Sequence, residues 1–406
     1  MSLVTRTAFP LPMQYLGSKQ RIAGWILEEI QSSFPQASTL FDLMSGSGAI
    51  AHEANMRGWN VHTNDIQPYS YQVLKSAFTS PRDGLQELID WFAAGGLTDV
   101  LLDGGRASAK NALREEDDFA AGMTIGDFDW HLYKEFCSQF SGSHTEATGD
   151  FDLFSTYYPN TYFGVRQCLE IDAIRSKAES VSESAGTHLI GALISSLTFV
   201  SSTTTHLAQF LKPNSHASAT SLLTRRSMSI EAQVVRRLRL LQQYPTPKVS
   251  STMNLGFQEA LTTVRSDSRS TVVYADPPYF KEHYSRYYHV LDTVALYDYP
   301  ELTYNNRLNS VTIGRYRTER IVSDFGLRSK VADAFSEMFG LAKSRGFEMA
   351  LSYASTSLLP ADDIVKLAER VGYSADLKEI ELKHSGQGQI RAKNDVTEYL
   401  FLLHHE

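Results

Sequence analysis

Asp276, Pro277, Pro278 and Tyr279 follow directly on the run Thr271-Val272-Val273-Tyr274-Ala275. The apolar β-branched and aromatic residues read as a buried strand, and two prolines in succession must end it, because neither can donate to a sheet ladder. Such a corner can aim the Asp276 carboxylate and the Pro277 carbonyl into one cleft. Two acceptors placed together suit a planar NH2 group with two donors. The ring of Tyr279 can stack on the heterocycle bearing that amine. DPPY also arises by accident in surface turns, but its place here, directly after a buried strand, argues against accident.

A second group lies near the other end of the chain. Asp42-Leu43-Met44-Ser45-Gly46-Ser47-Gly48-Ala49 is a glycine turn between a strand and a helix. Glycine is needed where the backbone takes positive φ or comes close to a ligand, and a helix N-terminus presents unpaired N–H groups. The spacing is neither GxGxxG nor GxxxxGK[ST], so a phosphate loop is not indicated, and by itself such a turn can equally be structural. Asp65 stands about twenty residues further on. An acid there can accept hydrogen bonds from a ribose diol; it can equally cap the helix that follows.

The elements that must position these groups form an α/β pattern. Apolar periodicity at Ile22, Trp25, Ile26 and Ile30 predicts a helix. Thr39 to Leu43 predicts a strand, Ala49 onward a helix, and 59–65 a second strand, which together make a βαβ unit of a doubly wound parallel sheet. Strand patterns return at 271–275, 348–355, 375–384 and 396–404, with helical patterns continuing the alternation. Residues 81–249 differ: polar breaks at 141–150 and 212–221 separate helical patterns, including one over Cys168 to Ala178. We therefore expect a catalytic unit from 1–80 and 250–406, with 81–249 as an insertion or second domain.

The 406 residues are 42% hydrophobic, enough for a packed interior. There is no apolar run of membrane-spanning length, the start is too interrupted for a signal peptide, and the two cysteines, Cys137 and Cys168, lack metal-ligand spacing. These features point to a reduced, cytoplasmic setting without a metal. A net charge of −8 argues against a generally basic nucleic-acid binder, although it does not forbid a local basic face. Arg225, Arg226, Arg236, Arg237 and Arg239 cluster against the single acid Glu231 and form such a face, or simply a solvated helix side.

Taken in order, these segments resemble the Dam-like adenine-N6 DNA methyltransferases, in particular the restriction–modification branch that includes the FokI-type methylases. The resemblance rests on QYLGSK at 14–19, FDLMSGSGAIA at 41–51, NDIQPYS at 64–70 and ADPPYFKEHYSRYYHVLDTV at 275–294. NTYFGVRQCLEIDAIR and TTTHLAQFLKP add to it less distinctively. It implies a Rossmann-like methyltransferase sheet with a largely helical target-recognition insertion, and S-adenosylmethionine as cofactor. Tyr15, Lys19, Asp42, Met44, Gly46, Gly48, Asp65 and Asp276 are then the cofactor-contacting positions, and Asp276, Pro277, Pro278 and Tyr279 the catalytic ones. Two departures stand out. Met44 replaces a usual phenylalanine, which methionine can do by volume. In the N-x-D-F pattern before DPPY, Asn254-Leu255-Gly256-Phe257 has glycine at the acid position, so either Asn254 substitutes or the stretch is misaligned.

The implied substrate is duplex DNA with a short recognition sequence, and a cognate restriction nuclease or defence partner is possible for this branch. An adenine inside a duplex cannot reach such a pocket and must be flipped out. Lys281, His283 and Arg286, interleaved with Tyr284, Tyr287 and Tyr288, suit a backbone clamp beside a flipped base; aromatic packing under a loop is the other reading. Arg225, Arg226, Arg236 and Arg237 are candidate DNA contacts in the insertion. Arg315, Arg317, Lys383, His384, Arg391 and Lys393 are further basic candidates. Competing readings are an RNA adenine or DNA cytosine-N4 methyltransferase, and a catalytically silent subunit of a defence complex.

Overall fold

A computed structural model describes residues 8–79, 81–103, 107–142, 149, 151–203, 207–248, 250–278, 284–307, 309–382 and 396–405. Its centre is a seven-stranded sheet built from β1 (Thr39–Asp42), β2 (Asn60–Asn64), β3 (Ser250–Met253), β4 (Thr271–Ala275), β7 (Glu348–Ala354), β8 (Tyr373–Leu382) and β9 (Val396–His405). Two short strands, β5 (Tyr304–Asn305) and β6 (Ser310–Val311), pair separately. The order across the sheet is β3-β2-β1-β4-β7-β9-β8. All pairs are parallel from β3 to β7, whereas β9 runs antiparallel to both its neighbours.

Alternation along the strands sends neighbouring side chains to opposite faces. Leu40, Val272, Tyr274 and Leu400 join one buried cluster, while Phe41, Val273, Ala275 and Phe401 join another. Helices Ala23–Ser33, Ala49–Met56 and Pro68–Leu74 cover the first face, and Phe257–Thr263, Val331–Ser344 and Ala361–Arg370 cover the second. This is the doubly wound, Rossmann-like methyltransferase arrangement expected from the sequence.

The helices between β2 and β3 pack in two ways. Leu88, Ile174, Leu193 and Leu238 belong to the same core that lies under the sheet, so the helices carrying them are fused to it. Helices Ala107–Ile125, Trp130–Gln139 and His216–Arg226 instead enclose a smaller core of Ala112, Tyr133, Phe136, Cys137, Ala219, Leu222 and Leu223. Among the described residues, no helix is long and apolar enough to cross a membrane.

Candidate active site

Pairing register aligns the carboxyl ends of the central strands. Asp42 stands opposite Thr63 on one side and Tyr274 on the other. Asp42, Asp65 and Asp276 therefore gather at one edge of the sheet, where open α/β sheets bind ligands. One cavity there is lined by Tyr15, Lys19, Asp42, Met44, Gly46, Asp65, Asp276 and Pro278. Sequence reasoning named all of these, and the fold brings them together.

The glycine turn packs as closely as its residues suggest. Gly46 has φ of +51°, and a Cβ there would lie 2.9 Å from Cζ and Oη of Tyr15. Gly48, at φ +75°, is the N-cap of helix Ala49–Met56. The Gly46 N–H donates to Asp65 Oδ2 at 2.7 Å, and the Gln67 N–H donates to Asp65 Oδ1 at 2.8 Å. Gln67 is itself the N-cap of helix Pro68–Leu74. Asp65 thus ties the glycine turn to the next helix while its carboxylate lines the cavity.

Asp42 is different. Its carboxylate is buried, and neither oxygen accepts a hydrogen bond. Burial, and then the nearby Asp276 and Asp65 carboxylates, hold its pKa well above the usual range. A buried acid so poorly compensated is costly, which suits this group to a hydrogen-bond donor or a cation.

Lys19 is the junction of the site. Gly17, at φ +79°, turns the chain into the short helix Lys19–Arg21, and the Lys19 side chain is buried, 6% exposed. That ammonium lies 3.0 Å from Asp276 Oδ1 and 3.1 Å from Glu398 Oε1, whose side chains are 19% and 3% exposed. Desolvation raises the pKa of both acids, and Lys19 acts in the opposite sense.

Glu398 was missed by sequence reasoning. The signal was available: an acid at a buried position of the apolar strand Val396–His405 requires a partner. Because β9 runs backwards, Glu398 near its start faces Ala354 at the end of β7 and so reaches the carboxyl edge. The wall formed by Ile321, Val322, Ser323, Asp324, Phe325 and Gly326 was also missed, since no motif marks it.

The departure at Gly256 is now located. Gly256 lines the cavity beside Leu255, Phe257 and Gln258, whereas the Asn254 amide donates to the Asp65 backbone carbonyl at 2.7 Å. Asn254 braces the Asp65 loop rather than filling the place of an acid.

Several basic candidates are corrected by their surroundings. Arg226 is 1% exposed and donates to Tyr133 Oη, Asn160 Oδ1 and the Thr161 carbonyl. Arg237 is 4% exposed and donates to Ser195 Oγ and Gln233 Oε1. Neither can present its charge to DNA in this conformation, because each guanidinium is spent on tying helices together. Arg225 is half-buried and donates to the Ser201 and Thr203 carbonyls. Arg315 donates to the Tyr157 and Gly142 carbonyls, and Arg317 pairs with Asp298.

Arg236 and Arg239 are exposed along a groove between helices Leu85–Ala93 and Ile230–Gln243. Arg286 is exposed, with its guanidinium 5.3 Å from the Tyr316 ring centroid. Tyr287 and Tyr288 are buried, in line with aromatic packing rather than a DNA clamp. Tyr279, Lys281, His283, Lys383, His384, Arg391 and Lys393 lie outside the described residues.

Comparison with known proteins adds the family. The D12 class N6 adenine-specific DNA methyltransferase model matches residues 15–95 and 144–337. The type II methyltransferase M.CviAII of Paramecium bursaria Chlorella virus 1 is 25% identical over 405 residues, covering 97% of this chain and 98% of the relative. The modification methylase LlaI of Lactococcus lactis subsp. lactis is 24% identical across 88% of the chain, and the type II methyltransferase M.FokI of Planomicrobium okeanokoites is 23% identical across 96%. The matched portion is about half the length of those last two relatives, 49% and 52% respectively. With a matching family model over most of its length and a doubly wound sheet that places Asp276 and Pro278 beside the glycine turn, the chain belongs to the D12 class N6 adenine-specific DNA methyltransferase family, as a DNA-modifying enzyme of the restriction–modification kind.

Proposed function

We propose that this enzyme methylates N6 of an adenine flipped out of duplex DNA at a short recognition sequence, with S-adenosylmethionine as donor. It would act in the cytoplasm, as the modification partner of a restriction nuclease or in phage defence. The observation that carries this reading is the single cavity that Lys19, Asp42, Gly46, Asp65 and Asp276 line together.

The residues present fit the cofactor. Asp42 offers an unpartnered buried carboxylate to a cationic group, and Gly46 leaves open a cradle against Tyr15 that a side chain would fill. Asp65 keeps acceptor capacity for a ribose diol beside its two backbone partners. When bound, the cofactor supplies a methyl group activated on a sulfonium.

The chain's own task is to prepare the amine. The lone pair of adenine N6 is delocalised into the ring, so the nitrogen is a poor nucleophile. Asp276, with Oδ1 facing Lys19, has Oδ2 available for one N–H, and the Pro277 carbonyl takes the other. Two such acceptors favour a pyramidal nitrogen and stabilise the positive charge that develops there, each worth about 3 kcal/mol when preorganised. The nitrogen then loses one proton, for which the Asp276 carboxylate is the acceptor. Tyr279 stacks on the flipped base, worth about 1–3 kcal/mol. The 81–249 insertion reads the sequence, with the exposed Arg236 and Arg239, together with Arg286, on the DNA backbone.

Expression in a methylation-free host followed by single-molecule sequencing tests this directly. N6-methyladenine in one short sequence context is the expected result. Unmodified DNA, or methyl groups on cytosine alone, would overturn the assignment.

A further inference from the structure

We infer that Glu398 is a positioning residue for methyl transfer: it takes a share of the Lys19 ammonium and so keeps Asp276 a strong acceptor for the adenine amine. This rests on the reading of Asp276 given above and adds a residue from the far end of the chain.

The site holds an excess of acid over base around Lys19. Lys19 could neutralise Asp276 alone, yet its ammonium sits between two carboxylates at almost equal distances, 3.0 and 3.1 Å. Around this one cation are Asp276 just past the end of β4 and Glu398 on β9, with the Tyr274 hydroxyl also within electrostatic reach; the Asp42 carboxyl, at the end of β1, stands near Asp276 in turn. A purely structural need would not put an acid there, because an apolar residue in place of a buried ionic partner is often neutral or stabilising. Glu398 is flanked across the sheet by Ala354 and Ile380, which supply no charge of their own.

Sharing has a chemical consequence. A carboxylate with an ammonium all to itself is a weak base and a weak hydrogen-bond acceptor, its pKa lowered by about one to three units. With the ammonium divided, the three groups together carry one net negative charge once both acids are ionised, at the place where N6 becomes positive. The cluster is thus arranged to hold Lys19 in place without silencing Asp276.

The test is the pH dependence of single-turnover methylation with cofactor saturating. Glu398→Gln keeps the shape and an oxygen for Lys19 but removes the charge. The acid limb should move to lower pH by about one unit, and the plateau rate should fall several-fold while cofactor affinity holds. Glu398→Asp should keep the wild-type limb. An unmoved limb in Glu398→Gln, or loss confined to cofactor affinity, overturns the inference.

Should Glu398→Gln fail to fold, carboxyl-labelled wild-type protein carries the same test by NMR. The Asp276 carboxyl should titrate in two steps, as interacting acids do, and a single step overturns the proposal. Failure of the underlying reading looks different, since Asp276→Asn would then methylate DNA like the wild type.

Discussion

The ring of Tyr15 lies parallel to that of Tyr288, 5.3 Å between centroids with planes 4° apart. Tyr288 also accepts the Leu16 N–H on its hydroxyl at 2.7 Å and packs against Tyr69. The segment that follows DPPY therefore braces the segment that precedes the glycine turn. Since Tyr15 also covers Gly46, Tyr288 sets the roof of the proposed cofactor pocket without lining it.

Tyr288→Phe removes that acceptor and leaves the stack. We expect a loss of about 1 kcal/mol in stability and a several-fold loss of cofactor affinity. Tyr288→Ala should cost about 3–5 kcal/mol. Urea denaturation and calorimetric titration measure both, and unchanged affinity in Tyr288→Ala would show that Tyr15 needs no brace.

Asp276→Ala removes the proposed amine acceptor and leaves the pocket otherwise intact. Turnover should disappear, with cofactor affinity reduced at most modestly. Radiolabelled methyl incorporation into duplex DNA checks the first point and equilibrium binding the second. Near-normal incorporation would take the catalytic role from Asp276.

The parts of this site that were legible in the sequence share one property: a local signal strong enough to need no tertiary context. Strands β1 and β4 are buried runs bounded by glycine or proline, and the residues at their ends inherit a place in the sheet. Strand β3, Ser250-Ser251-Thr252-Met253, is polar and half-buried at the edge of the sheet, so its pattern resembles a loop. Glu398 depends on the reversal of β9, a long-range pairing that local spacing cannot express. Arg226 and Arg237 misled for the opposite reason. Charge along a helix suggests a solvated or DNA-facing side, yet both guanidinium groups are buried among partners from other helices.

The two classes of arginine should separate cleanly in experiment. Arg226→Ala leaves Tyr133, Asn160 and the Thr161 carbonyl without their shared donor, and should cost about 3–5 kcal/mol of stability. Arg236→Ala, on an exposed position, should change stability by less than about 0.5 kcal/mol. If Arg236 meets a phosphate, its loss should weaken DNA binding at every sequence and reduce the logarithmic salt slope by about 1. An unchanged slope in Arg236→Ala and Arg239→Ala would remove this groove from the DNA surface.

Asp42 allows stability and function to be set against each other. Its pKa in the folded chain is held well above the ordinary 3.8 by burial and by Asp276 and Asp65. An acid with a raised folded pKa takes up its proton more readily in the folded state than in the unfolded one. Its contribution to stability is therefore fully present below the unfolded value and is lost as pH rises through the folded value. In cofactor-free protein, Asp42→Asn should accordingly be more stable than wild type at pH 8, by about 1–3 kcal/mol for an unpaired buried group. That advantage should shrink toward zero near pH 4, where the wild-type carboxyl is itself protonated. Cofactor affinity should move the other way, falling more than about tenfold at pH 8 through loss of one charge-assisted partner worth about 1.5–3 kcal/mol. Urea melts across this pH range, run with and without S-adenosylmethionine, measure both effects. A wild-type protein as stable as Asp42→Asn at pH 8 would mean that Asp42 is already satisfied, and would leave the pocket without the anchor assigned to a cationic group.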